Sequence, residues 1–147
     1  MARCVCPDIV VFVCANCIPA GGRLPQAWDH EGARVRVQEI PCSGKIDGQY
    51  LLHALEEGSR GLCVVACPVG DCHLGQGNFR AEIRVRTVQR LLAEMGLEPQ
   101  RAELVRCSPN DPPEHLRALV DQALARIYAL GESPLLHLEA RKASTSV

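Results

Sequence analysis

The chain has 147 residues, 16 basic and 17 acidic side chains, and a formal net charge of −1. This length fits one domain with a substantial core, and the balanced charge gives no reason to expect nucleic acid or an anionic membrane as a partner. Aromatic residues make up only 3% of the chain, which argues against stacking platforms for single-stranded nucleic acid. The longest apolar run has the length of a strand, far below the roughly 20 residues of a membrane span, so we expect a soluble, cytoplasmic protein.

The first half of the chain alternates strand and helix patterns. Residues 8–14, DIVVFVC, form a continuous apolar run typical of a parallel strand buried on both faces. Residues 14–33 contain no convincing helix and are interpreted as a loop. Residues 33–40, ARVRVQEI, alternate apolar and polar side chains, which predicts a strand with one exposed face at the sheet edge. Residues 48–58 carry leucines at helical spacing and end in a glycine.

The second half continues this alternation. An apolar strand is predicted over 61–67, a long helix from residue 77 to Gly96, a strand over 102–107 and an amphipathic helix within 108–131. The apolar stripe expected on the long helix comprises Ile83, Val88, Leu91, Leu92 and Met95.

This order of elements predicts an α/β fold. We expect an open parallel sheet of about four strands with flanking helices, of the flavodoxin or Rossmann type. Residues 1–132 would form a single domain, and residues 133–147 a loose C-terminal tail.

Cysteine is the outlying residue type, with nine in the chain. An odd number cannot pair completely, and a reducing cytosol disfavours disulfides, so metal ligation or thiol redox chemistry is the leading class of function. Five of the thiols lie at or after predicted strand ends: Cys14, Cys17, Cys42, Cys67 and Cys72. Because the carboxyl ends of parallel strands meet at one edge of a sheet, where ligands bind, we expect the site at that edge.

The spacing of these cysteines leaves three kinds of site open. It runs C-x2-C, then a lone cysteine, then C-x4-C, and this irregularity favours an iron–sulfur cluster, whose irons can take ligands from different loops. A zinc site usually uses more regular ligand pairs, and would make the chain a zinc-stabilised interaction module. A thiol–disulfide oxidoreductase using Cys14 and Cys17 would place the pair at a helix N-terminus, whereas CANCIPAGG runs into proline and glycine.

Other residues are interpreted first as packing or surface features. Cys63 and Cys107 are expected to be buried small hydrophobes, Trp28 a local plug in its loop, and His73 a loop residue or a hydrogen-bond partner of a ligand. The arginines of the long helix are expected to form a solvated face, with a contact surface for a partner protein as the alternative.

The cysteine segments resemble a known family. ACPVGDCHLGQGNFRAE, the following arginine-bearing helix and the turn GLEP are similar to the delta subunit of methyl-viologen-reducing hydrogenases. FVCANC and PCSGKID match the other cysteine segments of that family in the same order, and the resemblance covers residues 8–130.

The resemblance implies a small, non-catalytic electron-transfer subunit with one 2Fe–2S cluster. Four of the five cysteines Cys14, Cys17, Cys42, Cys67 and Cys72 would ligate it. The implied partners are the flavin-bearing A subunit of heterodisulfide reductase and a hydrogenase or formate dehydrogenase, in a bifurcating complex of an anaerobe. The resemblance gives no role to Cys4 and Cys6.

Overall fold

The computed structural model of the protein describes residues 8–30, 32–40, 48–56, 59–67 and 77–131. Within these ranges the strands are β1 (Ile9–Cys14), β2 (Ala27–His30), β3 (Ala33–Ile40), β4 (Gly61–Ala66) and β5 (Ala102–Arg106). The α-helices are α1 (Gly48–Glu56), α2 (Gly77–Glu94) and α3 (His115–Ala129). Short 3-10 turns occupy Ala15–Cys17 and Pro99–Arg101.

The strands form one sheet in the order β2-β3-β1-β4-β5. Strands β3, β1, β4 and β5 are parallel, whereas β2 runs antiparallel to β3. Cys14 pairs with Ile40, and Ala66 pairs with Arg106, so the four parallel strands end at one edge. We call this edge the carboxyl rim. The predicted α/β fold with an open parallel sheet of about four strands is confirmed, and the antiparallel β2 adds a fifth strand that was not predicted.

Helices cover both faces of the sheet. Helix α3 packs on one face through an apolar stripe that includes Leu116, Val120 and Leu124. Helices α1 and α2 cover the other face. There, Leu51 and Val85 belong to one core cluster with the β1 side chains on that face. Strands β1 and β4 are buried throughout, which accounts for their continuous apolar sequences. Among the described helices, none combines the length and apolar character that crossing a bilayer requires.

The loop expected over residues 14–33 contains a strand, and this prediction was wrong. Ala27–His30 pairs with β3 and takes the place at the sheet edge that was predicted for β3. Trp28 therefore lies on a strand, where its half-buried ring packs against the core under α3. The signal for this hairpin is Gly32, whose φ of 88° fits the tight connection between His30 and Ala33. A four-residue strand with no fully buried residue has no apolar pattern to reveal it.

The stripe predicted for the long helix is also partly wrong. Ile83 and Met95 are 48% and 58% exposed. The side chains that face the sheet are buried at spacings of four, three and four residues: Ala81, Val85, Val88 and Leu92. The sequence allows two overlapping stripes at helical spacing, and the structure buries the second one against the sheet.

The C-terminus of α2 follows an ordinary capping rule. Gly96 has a φ of 80°, the Leu97 N–H donates to the Leu92 carbonyl at 2.8 Å, and the Gly96 N–H donates to Ala93 at 3.1 Å. This is a Schellman motif, and it confirms that α2 ends at this glycine. Helix α3 begins at His115, after the proline-containing segment that was predicted to open it.

Candidate metal centre

Three cysteines converge at the carboxyl rim. Cys14 is the last residue of β1, Cys17 ends the 3-10 turn that follows it, and Cys67 comes directly after β4. Their three sulfur atoms all lie within 4.8 Å of one another, and the Sγ atoms of Cys17 and Cys67 are 3.0 Å apart. Each residue is at most 1% exposed. We call Cys14, Cys17 and Cys67 the thiol triad.

The sheet topology accounts for this convergence. Strands β1 and β4 are parallel neighbours with Val13 paired to Val65, so Cys14, one residue further along β1, and Cys67, two residues further along the other chain segment, reach the same edge of the sheet. The turn Ala15–Cys17 then brings the second thiol of the C-x2-C pair back towards Cys67. The chain continues from Cys17 into an extended Ile18. The Cys14 and Cys17 pair therefore does not lie at the N-terminus of an α-helix, the position that lowers the pKa of a thioredoxin-type thiol.

The loop after Cys17 is held against the segment that precedes α3. A Cβ atom added at Gly22 would lie 2.5 Å from the carbonyl oxygen of Pro113, so only glycine fits this approach without a shift. The Gly22 N–H also donates to the Pro19 carbonyl at 2.9 Å. The loop that follows Cys17 therefore lies directly against the segment that precedes α3.

The Cys17 thiol holds its proton in the absence of metal. The pKa of Cys17 is raised far above the ordinary thiol range, first by its hydrogen bond with Cys14, then by burial and by its hydrogen bond with Cys67. Metal binding at this site must therefore displace protons, since the thiolate is the ligand form.

Two of the five predicted ligands, Cys42 and Cys72, lie outside the described residues, as do Cys4, Cys6 and His73. The structure thus brings three of the five together. In the sequence, Cys42 stands two positions beyond Ile40, the residue that pairs with Cys14 at the rim.

The remaining described cysteines are buried beside the site rather than in it. Cys63 lies within the core on the α3 face, as expected, and burial raises the pKa of its thiol to about 12. Cys107 is also buried, and its Sγ lies 3.6 Å from Oδ2 of Asp111. Burial, together with the negative charge of Asp111, raises the pKa of Cys107 to about 11. Packing accounts for both residues.

A charged side chain at the rim was not anticipated from the sequence. Arg106, the last residue of β5, donates from Nη1 to the Cys67 carbonyl at 3.0 Å and from Nη2 to Oε2 of Glu82 at 3.0 Å. The sequence signal that could have identified it is its position. Arg106 lies at the end of a strand predicted to stop at the rim, one residue before a cysteine, and alternation places the two side chains on opposite faces.

The donor set restricts which metal this site suits. Buried thiolates favour zinc or iron–sulfur clusters over calcium or magnesium, which take oxygen ligands. A metal–sulfur bond of about 2.3 Å puts two sulfurs of a tetrahedron about 3.8 Å apart, which is within the 4.8 Å that bounds the triad and longer than the 3.0 Å between Cys17 and Cys67. The three thiols can therefore bind part of an iron–sulfur cluster or a single zinc ion, with further ligands from elsewhere.

The fold and this site define a class: a small α/β protein with a buried cysteine metal centre at the carboxyl rim of its sheet. The family model described as methyl-viologen-reducing hydrogenase, delta subunit, matches residues 9–131. The chain belongs to this family.

Individual relatives agree with this assignment. The chain is 35% identical over 105 residues to the iron-sulfur D subunit of an F420-non-reducing hydrogenase from Archaeoglobus profundus, covering 67% of this chain and 72% of the relative. It is 33% identical over 130 residues to the iron-sulfur D subunit of an F420-non-reducing hydrogenase, vhu, from Methanococcus maripaludis, covering 88% and 96%. It is also 34% identical over 97 residues to the A subunit of a ferredoxin:CoB-CoM heterodisulfide reductase from Methanosarcina mazei, covering 65% of this chain and 12% of that longer protein.

Proposed function

We propose that this chain is an electron-transfer subunit that binds one 2Fe–2S cluster at the carboxyl rim. The ligands are four of five cysteines: Cys14, Cys17, Cys42, Cys67 and Cys72. The observation that carries the proposal is the thiol triad, three buried sulfurs from two separate segments within 4.8 Å of one another. When bound, such a cluster accepts and donates one electron at a time, at a potential set by charge, hydrogen bonding and exposure.

The surroundings of the triad suit this role. The thiols are buried under the α3 face, which limits solvent access to a bound cluster and thereby influences its potential. Each ligand segment begins at the end of a paired strand, so the sheet fixes the starting points of the loops. The part of the chain that the structure describes has no other group of three cysteine, histidine or carboxylate side chains close enough to hold a metal ion.

The relatives support the proposed partners. Iron-sulfur subunits of hydrogenases and the A subunit of heterodisulfide reductase both contain segments similar to this chain. We propose that the chain transfers electrons between a hydrogenase or formate dehydrogenase and the flavin-containing A subunit of heterodisulfide reductase, in a bifurcating complex in the cytoplasm. The chain would then act only in that complex, without turnover of its own.

Metal and sulfide analysis of the full chain, purified without oxygen, tests the cofactor. We expect about two irons and two sulfides per chain, a visible absorption band and an EPR signal that appears on reduction. Four irons per chain would contradict the cluster type, and a colourless chain would contradict iron–sulfur binding altogether.

Single substitutions test the ligands. Cys14→Ser, Cys17→Ser and Cys67→Ser should each reduce the iron content by more than half or change the EPR signal. Cys63→Ala is the matched control, because this thiol is equally buried but lies inside β4. Full iron content and an unchanged spectrum in all three serine variants would refute the triad as ligands.

One observation favours a second candidate function. All three triad sulfurs lie within 4.8 Å of one another, so a single tetrahedral ion could take all three as ligands, whereas each iron of a 2Fe–2S cluster takes only two. A zinc-stabilised interaction module is the corresponding function. One zinc per chain and no sulfide, after anaerobic preparation from medium containing both metals, would favour it over the electron-transfer role.

A further inference from the structure

The side chain of Arg106 connects the metal centre to helix α2. It extends from the end of β5, and its guanidinium donates to the Cys67 carbonyl and to Glu82, each at 3.0 Å. The Cys67 carbonyl belongs to the peptide bond that joins this cysteine to Pro68. Arg106 therefore holds the backbone where the chain leaves β4 and a triad thiol begins the next segment.

The contacts of Glu82 show how the guanidinium is oriented. The Glu82 carboxylate accepts from Arg106 through one oxygen and from Arg86 through the other, at 2.6 Å. The side chains of Arg106 and Glu82 are 26% and 23% exposed, so the pair is only partly screened by water. Two arginines and one glutamate leave a net charge of +1 beside the rim.

This charge approaches from the opposite face to the thiols. Leu104 packs with the α1 and α2 side of the sheet, and Val105 with the α3 side. By alternation, Arg106 belongs to the α2 side and Cys107 to the α3 side with the triad. The guanidinium thus reaches the Cys67 backbone without occupying space that a metal would need.

We propose that Arg106 is a positioning residue for the metal centre, one that fixes the Cys67 backbone and raises the reduction potential of the bound cluster. This inference rests on the proposed function. Reduction adds one negative charge to a cluster already surrounded by thiolates, and a nearby positive charge favours the more negative state. Glu82 acts with the opposite sign, because it both orients Arg106 and offsets part of its charge.

Four variants of the full chain, loaded anaerobically, separate charge from geometry. Arg106→Gln removes the charge, and Arg106→Lys keeps the charge but not the two-pronged donation. Glu82→Gln removes the opposing charge and keeps an acceptor. Arg126→Gln is the matched control, because Arg126 also joins a helix to β5, through Glu103 at 3.1 Å, but near the other end of the strand.

The reduction potential is measured by EPR-monitored titration. We expect Arg106→Gln to make reduction about tenfold less favourable, a shift of about 59 mV to lower potential for a one-electron couple. Glu82→Gln should shift the potential upward, and Arg126→Gln should leave it unchanged. Arg106→Lys should have a reduction potential close to that of the wild type, but should lose its cluster to a chelator faster than the wild type does.

The outcomes distinguish failure of this inference from failure of the proposed electron-transfer function. If the wild type binds the cluster and the reduction potential is the same in the wild type, Arg106→Gln and Glu82→Gln, the role of Arg106 is overturned and the proposed function is not. A wild-type chain that binds no redox-active metal overturns the proposed function and this inference with it. If Arg106→Gln fails to fold, Glu82→Gln still decides, since a downward shift or no shift in that variant contradicts the charge argument.

Discussion

A buried arginine at the other end of the sheet offers a test of what stabilises the fold. Arg101 is 1% exposed and precedes β5. Its guanidinium donates to Oε2 of Glu98 at 2.6 Å and to the carbonyl of Arg60 at 2.7 Å. It also donates to the carbonyls of Gly131 at 3.0 Å and Leu130 at 3.3 Å, at the end of α3. One side chain thus ties together β4, β5 and α3.

Replacing Arg101 with methionine keeps the aliphatic volume and removes every one of these donors. A hydrogen bond to a charged group contributes about 1.5–3 kcal/mol, and breaking a buried ionic network costs about 3–5 kcal/mol. The carbonyls at the end of α3 can regain some water because Gly131 is half-buried. We therefore expect a loss of about 3 kcal/mol in the free energy of unfolding, or about 6–12 °C in Tm for a chain of this size.

Arg117→Met is the control for this substitution. Arg117 is 41% exposed, pairs with Asp121 at 3.0 Å and lies 4.2 Å over the ring of Trp28. An exposed ion pair and an exposed cation–π contact together contribute about 1 kcal/mol. Urea unfolding of both metal-loaded variants measures the difference. Equal small losses would refute the reasoning, as would loss of metal in Arg101→Met, because Arg101 is remote from the thiols.

Two further predictions concern the loop beside the site and the core thiol. Gly22→Ala should lower the free energy of unfolding by about 1–3 kcal/mol and lower the metal content, because its Cβ would lie 2.5 Å from the Pro113 carbonyl oxygen. Gly48→Ala is the control, because no atom lies within 4 Å of the added Cβ. Equal metal content in the two variants would contradict this prediction. Above pH 9.0 the Cys63 thiol ionises in the unfolded chain but stays protonated in the folded one up to about pH 12, so stability falls as pH rises. Between pH 10 and 11 the wild type should lose about 1.3 kcal/mol more than Cys63→Ala in urea unfolding, and parallel pH profiles would show that the thiol is not desolvated.

Most of the regular structure was predictable because it carries local signals. The apolar runs of β1 and β4 and the alternation of β3 identify strands without knowledge of their neighbours. Gly96 and Gly131, with φ of 80° and 78°, mark helix ends that the sequence also indicates. β2 is the exception, since four residues with no fully buried side chain form a strand only because β3 is available to pair with them.

The predicted sheet topology located the candidate site but not its detailed geometry. The rule that parallel strands end at one edge placed Cys14 and Cys67 near each other, since each follows a buried strand. It did not indicate that the 3-10 turn would bring Cys17 within 3.0 Å of Cys67. Cys107 shows the converse, because it also follows a strand at the rim yet is accounted for by packing beside Asp111.

The sequence alone determined the α/β class, the family resemblance and the location of thiols at strand ends, because each depends on residue type and short-range spacing. The tertiary structure decided which stripe of α2 is buried, which strand lies at the edge, and which charges surround the thiols. Arg101 and Arg106 illustrate the reason. Their partners lie as many as 41 and 39 residues away in the chain, and no local pattern specifies contacts over that separation.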